Sequence, residues 1–539
     1  MFNGAWPAGA IDAAHVPLVL ARAVWLCTLF SATGALTFRA LEGGTDAVAW
    51  PGVREPLTRL IVASLALACS AWAVWSVLQA AAIAGATDIA ATISALEPVF
   101  VRSAFGHRAA AQLGLLALAW ASLWLGWGWA RAVPAVLALG AVTIQVGHLH
   151  AWAMTGSANL LTGAVLLHLW AAALWLGALL PLRLVVRGAP LGAATACVRR
   201  FSHRATLVVA LLAATALYQG IEMSGGLAGL FGATYGWVML AKATLFAVLL
   251  ALACRNRFSL ASGLAGDMPG GARVALMRCI AQETGIGIAV LLVAAVLTAL
   301  PPGMHVEPAW PFTVRPSMPF TGMDTAVVAG LAVAVVLLAA AVLLRRARWP
   351  ALAVAAVLAL LAVPRVGAVT QPATPTSFYR SQTGFTAASV AAGATTFGTR
   401  CASCHAAGGP KLAASDGDIF WTLTTHPDGA LDDDARWNLI DFLRARAAVG
   451  SGAARAPDVQ LACADGSTPM LSDLRGTPVR LSFRPVAGTC AITDSDGPAA
   501  YAVATGLTPA QLAPAELSID ADGRLGNVFH AAGAQVGLR

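Results

Sequence analysis

The sequence predicts an all-α polytopic membrane bundle of about ten transmembrane helices, followed by two small soluble domains. Three observations predict it. Of 539 residues, 58% are hydrophobic and 11% charged, well outside the composition of soluble globular proteins. Apolar runs of about 17 to 25 residues, long enough to cross about 30 Å of hydrocarbon, recur as far as residue 366. Beyond Arg365 they give way to a Pro, Thr, Ser and Gln linker, TQPATPTSFYRSQTG, and then to sequence of ordinary polarity. The formal net charge is +8, but the basic residues sit in short clusters between apolar runs, as in loops held in the cytoplasm. Nucleic acid is therefore discarded as a partner, and membrane lipid is expected.

Taken in order, the spans fall near residues 15–38, 57–80, 109–129, 132–150, 160–182, 204–223, 235–254, 276–300, 324–344 and 350–366. The third and fourth can also form a broken pair around Arg131 to Pro134. The opening residues, MFNGAWPAGAIDAAH, carry no basic segment and lead into an apolar run too long for a cleavable signal, so the first run reads as a retained span. Orientation follows from the arginines. With the N-terminus outside, the inner loops hold Arg39, Arg54, Arg59, Arg131, Arg183, Arg187, Arg199, Arg200, Arg204, Arg255, Arg257, Arg273, Arg278, Arg345, Arg346 and Arg348, whereas the outer loops hold Arg102, Arg108 and Arg315. Both termini then face outside, which in a Gram-negative cell is the periplasm, and the bundle belongs to the bacterial inner (cytoplasmic) membrane. The resulting division is a transmembrane core over 1–303, an outer loop with two additional spans over 304–367, a linker over 368–377, a small helical domain over 378–450 and a last domain with strand-like runs (VRLSF, AELSIDADG) over 456–539.

Nine cysteines divide into five in the membrane part, read as small buried apolar residues, and four in the tail. Cys401-Ala-Ser-Cys404-His405 is the CxxCH pattern of covalent c-type haem attachment, in which the thiols form thioethers to the haem vinyl groups and the histidine ligates iron. Its flanks, GATTFGTRCASCHAAGG, resemble the N-terminal helix and haem loop of a class I cytochrome c, an all-α domain, and LDDDARWNLIDFLRARA resembles its closing helix. Such domains usually supply a methionine as the sixth ligand, yet 378–450 contains none. Thr425-His426-Pro427 stands in the corresponding place, which makes His426 the expected distal ligand. The alternative is a surface histidine beside an open or water-ligated iron.

Imidazole and thioether groups gather at the outer ends of the spans: His15, His107, His148, His150, Met154, Met223, Met304, His305, Met318 and Met323. That mix suits copper, with methionine favouring Cu(I). His150 and Met154 are spaced to share a helix face; His148 joins them only if the helix unwinds near Gly147. His168 lies about 12 Å below the outer surface at 1.5 Å per residue, and reads equally as a packed histidine and as a ligand. The candidate metal set is therefore His148, His150, His168, Met154, Met304, His305 and His15. Charged groups at depth are Lys242 and Glu283, expected to be an ion pair between two helices rather than a proton relay, with Glu222 near an outer end.

The runs HLHAWAMTG, LLHLWAAALWLGALLPL, RRFSHRATLVVALLAATALYQG, ATYGWVMLAKATLFAVLLALACRNRFSL and RCIAQETGIGIAVLLVAAVLTALPPG, over about residues 140 to 303, resemble the copper-resistance D (CopD) family of inner-membrane proteins. The resemblance implies an eight-helix core plus two further helices, and copper handling, with uptake from periplasm to cytoplasm as the proposed direction. It rests on His148, His168, Trp175, Gly177, Tyr235, Gly236, Lys242 and Glu283. The last domain, with PDVQLACADGSTPMLSDLRGTPVRLSF, resembles the opening of a small α/β thioredoxin-like domain, but RPVAGTC offers a single Cys490 where CxxC belongs. Dithiol exchange is not expected of it. A Cys463 to Cys490 disulfide fits an oxidising compartment.

The expected function is copper transport or transfer, coupled to electron transfer by a tethered haem c that assists a Cu(II)/Cu(I) step. Its partners would be the copper ion and a periplasmic copper chaperone or electron donor, and cupric reductase activity would accompany transport. The alternative is a membrane b/c-type cytochrome oxidoreductase in which the transmembrane histidines hold haem b.

Overall fold

The structure is a computed structural model that describes residues 15–124, 131–149, 158–264, 269–316, 353–354, 356–357, 370–405, 415–426, 431–448, 454–483, 490–494, 496–512, 515–530 and 535–536. The chain forms two compact units, a helical bundle within residues 7–306 and a second unit drawn mainly from 307–338 and 349–539.

In the bundle, α1 (Val16–Glu42) starts with Pro17 in its first turn, where the missing N–H costs nothing. Helix α2 (Pro51–Ala84) ends at Gly85 in the left-handed conformation, φ 65°. Helices α3 (Ile89–Arg102) and α4 (Ala104–Ala121) are each capped by a side chain, Asp88 accepting from Ala91 N and Ser103 from Gly106 N. Helix α5 (Val133–Gln145) runs into a 3₁₀ turn over Val146–His148. After it come α6 (Ala158–Leu176), α7 (Leu179–Gly188), α8 (Leu191–Ser224), α9 (Gly226–Gly232), α10 (Thr234–Arg255), continued by a π turn over Asn256–Leu260, and α11 (Pro269–Ala299).

Among the described residues, six helices are long and apolar enough to cross a membrane, or up to seven if the bent pair is one span. This redraws the expected third and fourth spans. Helices α3 and α4 meet at an 80° bend, and the apolar helix Val133–His148 has a length of about 24 Å, short of the hydrocarbon thickness of about 30 Å. Helix α8 begins thirteen residues before its expected start because its first turns have partners. Ala194, Cys197 and Val198 are buried, and Arg200 and Arg204 both pair with the buried carboxylate of Glu42 at 2.7 Å. The expected spans at 324–344 and 350–366 lie almost wholly outside the described residues.

Helix α1 crosses the α6–α7 junction so closely that a Cβ on Gly34 or Gly177 would overlap the backbone of the other helix. At the far end of α7, Arg273 donates to three carbonyls, Val186 (2.5 Å), Arg187 (2.8 Å) and Ala189 (2.9 Å), closing that helix terminus with a cation.

The second unit opens with β1 (Val314–Pro316) paired antiparallel to β2 (Thr370–Pro372). Helices α12 (Ala387–Thr396), α13 (Ala402–His405), α14 (Asp416–Thr424) and α15 (Asp433–Ala448) follow. They surround an apolar core of Phe397, Phe420, Trp437, Ile440, Phe442 and Leu443. The crossing of α12 on α15 is made at Gly393, where a Cβ would overlap the Asn438 carbonyl. Beyond residue 454, β3 (Leu461–Ala462) pairs with β5 (Ala491–Ile492), and Cys463 is bonded to Cys490. Strands β4 (Val479–Ser482), β6 (Ala515–Ile519), β7 (Leu525–His530) and β8 (Gln535–Val536) form one sheet in that order, antiparallel throughout. The parallel strand of a βαβ unit, which a thioredoxin-like domain would carry, is not among the described residues.

Candidate functional site

Two groups of predicted residues are placed by the structure, one in each unit. In the second unit, a π turn over Phe397–Cys401 continues α12 into α13, so Cys401, Cys404 and His405 follow on one helical path. Neither Cys401 nor Cys404 is in a disulfide. Helix α14 carries His426 just past its C-terminal cap, Thr425. Its start is locked by a capping box between Ser415 and Asp418. Asp418 also accepts from Thr374 Oγ1 and Arg315 Nη2, both at 3.0 Å, and from Ser377. Burial alone would raise the Asp418 pKa, but the hydroxyls of Ser377, Ser415 and Thr374 and the Arg315 guanidinium outweigh it and hold the carboxyl below its usual range.

The outcome is that the His405 and His426 rings stand with centroids 6.4 Å apart. An imidazole nitrogen bonded to a metal atom would lie about 2.0 Å from it and about 1.1 Å from its own ring centre, so two rings sharing one metal can stand up to about 6.2 Å apart. Two thiols, two imidazoles at that spacing and an apolar wall that includes Phe397 and Phe420 fit a covalently attached, bis-histidine haem.

In the bundle, His148 ends the 3₁₀ turn after α5. Its ring meets Trp75 and Phe105 edge-on, with centroids at 5.4 and 5.1 Å, and its Nε2 is buried without a partner. Arg22 reaches the His148 carbonyl through Nη2 at 3.5 Å, and Arg108 donates to the Gly147 carbonyl. His168 is held through Nδ1 by Thr215 Oγ1 at 3.2 Å, the kind of second partner that orients a metal-binding imidazole. Thr215 itself is tied to the Leu211 carbonyl at 2.8 Å.

The other described members of the expected metal set stand elsewhere in the chain. His15 is exposed at the start of α1, Met304 and His305 lie in a 3₁₀ turn whose backbone packs on Gly225, and His150 and Met154 fall outside the described residues. Among the described residues, no three His, Cys, Asp or Glu side chains converge where they could hold a metal ion.

The expected Lys242–Glu283 ion pair is corrected. Glu283 is buried and accepts from Asn256 Nδ2 at 2.8 Å. Asn256 follows the end of α10, fourteen residues and so about 21 Å along the helix from Lys242. A residue missed by sequence reasoning is Arg22, only 7% exposed. An arginine inside the first apolar run was the signal for it.

The fold and these sites define a polytopic helical membrane protein with a second, mixed α/β unit. Within it, residues 195–297 match the family model described as Copper resistance protein D, so the chain carries a CopD family domain, inside the stretch over which the resemblance was drawn. It is also 33% identical over 139 residues to the copper transport protein CutJ of Bacillus subtilis (strain 168), covering 25% of this chain and 24% of that protein. The chain thus spans about a quarter of the length of the curated relative it matches. No solved structure matches it.

Proposed function

We propose that this is an inner-membrane copper-handling protein that imports or transfers copper at the periplasmic face, coupled to electron transfer by a tethered c-type haem. The observation that carries the reading is the His405–His426 pair at 6.4 Å beside CxxCH, in a chain with a copper-resistance domain. Cys401 and Cys404 tether the haem, and His405 and His426 hold its iron. When bound, the haem supplies a one-electron couple, lower in potential with two histidines than with His/Met ligation. Copper reaching the periplasm as Cu(II) gains one electron to become Cu(I), and a periplasmic electron donor restores that electron.

In the bundle, His148 and His168 are the proposed cargo ligands, with Met154, Met304, His305, His150 and His15 as additional donors. Arg22 and Arg108 support reduction before entry, because at equal distance a guanidinium repels Cu(II) twice as strongly as Cu(I). The periplasmic placement rests on the arginine distribution, and the pairing of Pro316 with Thr370 in β1 and β2 supports an even number of crossings between them.

The test is metal analysis with a pyridine haemochrome spectrum of the purified protein. One c-type haem and bound copper are expected, and His426→Ala should keep the covalent haem while changing its ligation spectrum. No bound copper, together with unchanged cellular copper after His148→Ala or His168→Ala, would refute the reading. An added b-type signal would favour the cytochrome oxidoreductase.

A further inference from the structure

Four helices bring polar side chains to one buried place near the N-terminal end of α1. Arg22 lies six residues below Val16, about 9 Å. Its guanidinium carbon is 5.6 Å from the Trp75 ring centre. Trp75 stacks on Trp25, with centroids at 6.3 Å, and Trp25 donates to Gln145 Oε1 at 3.2 Å. Gln112 donates to the same oxygen at 3.1 Å and to the Ala141 carbonyl at 2.8 Å.

This network leaves donors over. Arg22 Nε, Trp75 Nε1 and Gln145 Nε2 are buried without a partner, as is one acceptor beside them, Gln112 Oε1; the three donors sit on residues that are 7%, 0% and 1% exposed. Buried N–H groups rarely go unpaired, and each that does calls for a bound species. The sign of the charge says which kind. Arg22 forms no ion pair among the described residues, its one carbonyl contact is long, and Arg108 adds a second guanidinium at Gly147. Three unsatisfied donors beside an unneutralised cation match an anion.

We propose that Arg22, Trp75 and Gln145 bind a small monovalent anion of the halide class between α1, α2 and α5. The guanidinium, indole and carboxamide N–H groups of these three residues all donate, so together with the charge of Arg22 they favour an anionic acceptor, while the unpaired acceptor Gln112 Oε1 lies on the partner of the Gln145 carboxamide. A halide accepts from donors in any direction and so needs no arrangement beyond these N–H groups. The proposal does not depend on the copper reading.

The experiment uses the full-length protein in detergent micelles and ³⁶Cl⁻ in a scintillation proximity assay, at constant ionic strength set with gluconate. Saturable chloride binding is expected for the native chain, about tenfold weaker binding after Arg22→Gln, and a severalfold loss after Trp75→Phe, which removes the indole N–H and keeps an aromatic ring. Gln145→Glu retains the oxygens that Trp25 and Gln112 use and gives Arg22 a counter-charge. It should abolish chloride binding while melting no lower than the native chain in gluconate, which separates loss of a site from loss of the fold. Absence of saturable binding to the native chain, or equal binding by all folded variants, would overturn the proposal and leave buried water as the partner of these donors.

Discussion

Replacing Asp418 with Asn should loosen the helix that presents His426. The carboxylate takes Thr374 Oγ1 and Ser377 Oγ on Oδ1, and Arg315 Nη2 (3.0 Å), Ser415 Oγ (2.7 Å) and Ser415 N (3.3 Å) on Oδ2. Asn turns one of those oxygens into a donor aimed at donors. It also strands Arg315, whose side chain is 14% exposed. A hydrogen bond to a charged group contributes about 1.5–3 kcal/mol, and breaking a buried pair costs about 3–5 kcal/mol. Because these terms overlap, the loss should be about 3 kcal/mol, which for a domain of this size lowers the melting temperature on the order of 15 °C. The assay is thermal unfolding of full-length holoprotein followed at the haem absorbance. The same contact fixes a pH dependence. The Asp418 pKa is held below its unfolded value of about 3.9, so its contribution is complete above that pH and is lost as pH falls through the depressed folded value. An Asp418→Asn protein that melts within 2 °C of the native chain (about 0.5 kcal/mol or less) would refute the reasoning.

Other outcomes follow from single contacts. Glu42→Gln leaves Arg200 and Arg204, 40% and 43% exposed, without their shared carboxylate; screening at that exposure reduces the expected destabilisation to about 2 kcal/mol, measurable by thermal aggregation of the detergent-solubilised bundle. Gly393→Val should drive α12 off α15 at Asn438 and Phe442, at a cost of about 3 kcal/mol or more, and should reduce the fraction of purified chain carrying covalent haem. Arg273→Ala removes the donor to three carbonyls at the end of α7 and should raise hydrogen exchange at residues 186–189, whereas Arg278→Ala, at a site with no such contact, should not.

The sequence made some of this legible and hid the rest for identifiable reasons. Most spans could be read because membrane crossing imposes a length on each apolar run independently of its neighbours. CxxCH and the histidine in the Met-Pro position are local signals too, and the His405 and His426 rings stand with centroids 6.4 Å apart. Arg22 was visible as a letter but not as a site, since its surroundings come from α2, α4 and the turn after α5. The early start of α8 depends on Glu42, which lies 158 residues from Arg200. The Lys242–Glu283 pairing failed because charge complementarity ignores depth: Glu283 lies level with the end of α10, not its middle.

The central claim is most directly tested by mixing Cu(II) with the reduced full-length protein and following haem oxidation together with Cu(I) formation. One Cu(I) should appear per haem oxidised and remain bound to the native chain, and His148→Ala with His168→Ala should leave the oxidation intact while releasing the Cu(I). A haem that stays reduced in the presence of Cu(II), or Cu(I) retained equally without those two histidines, would contradict it.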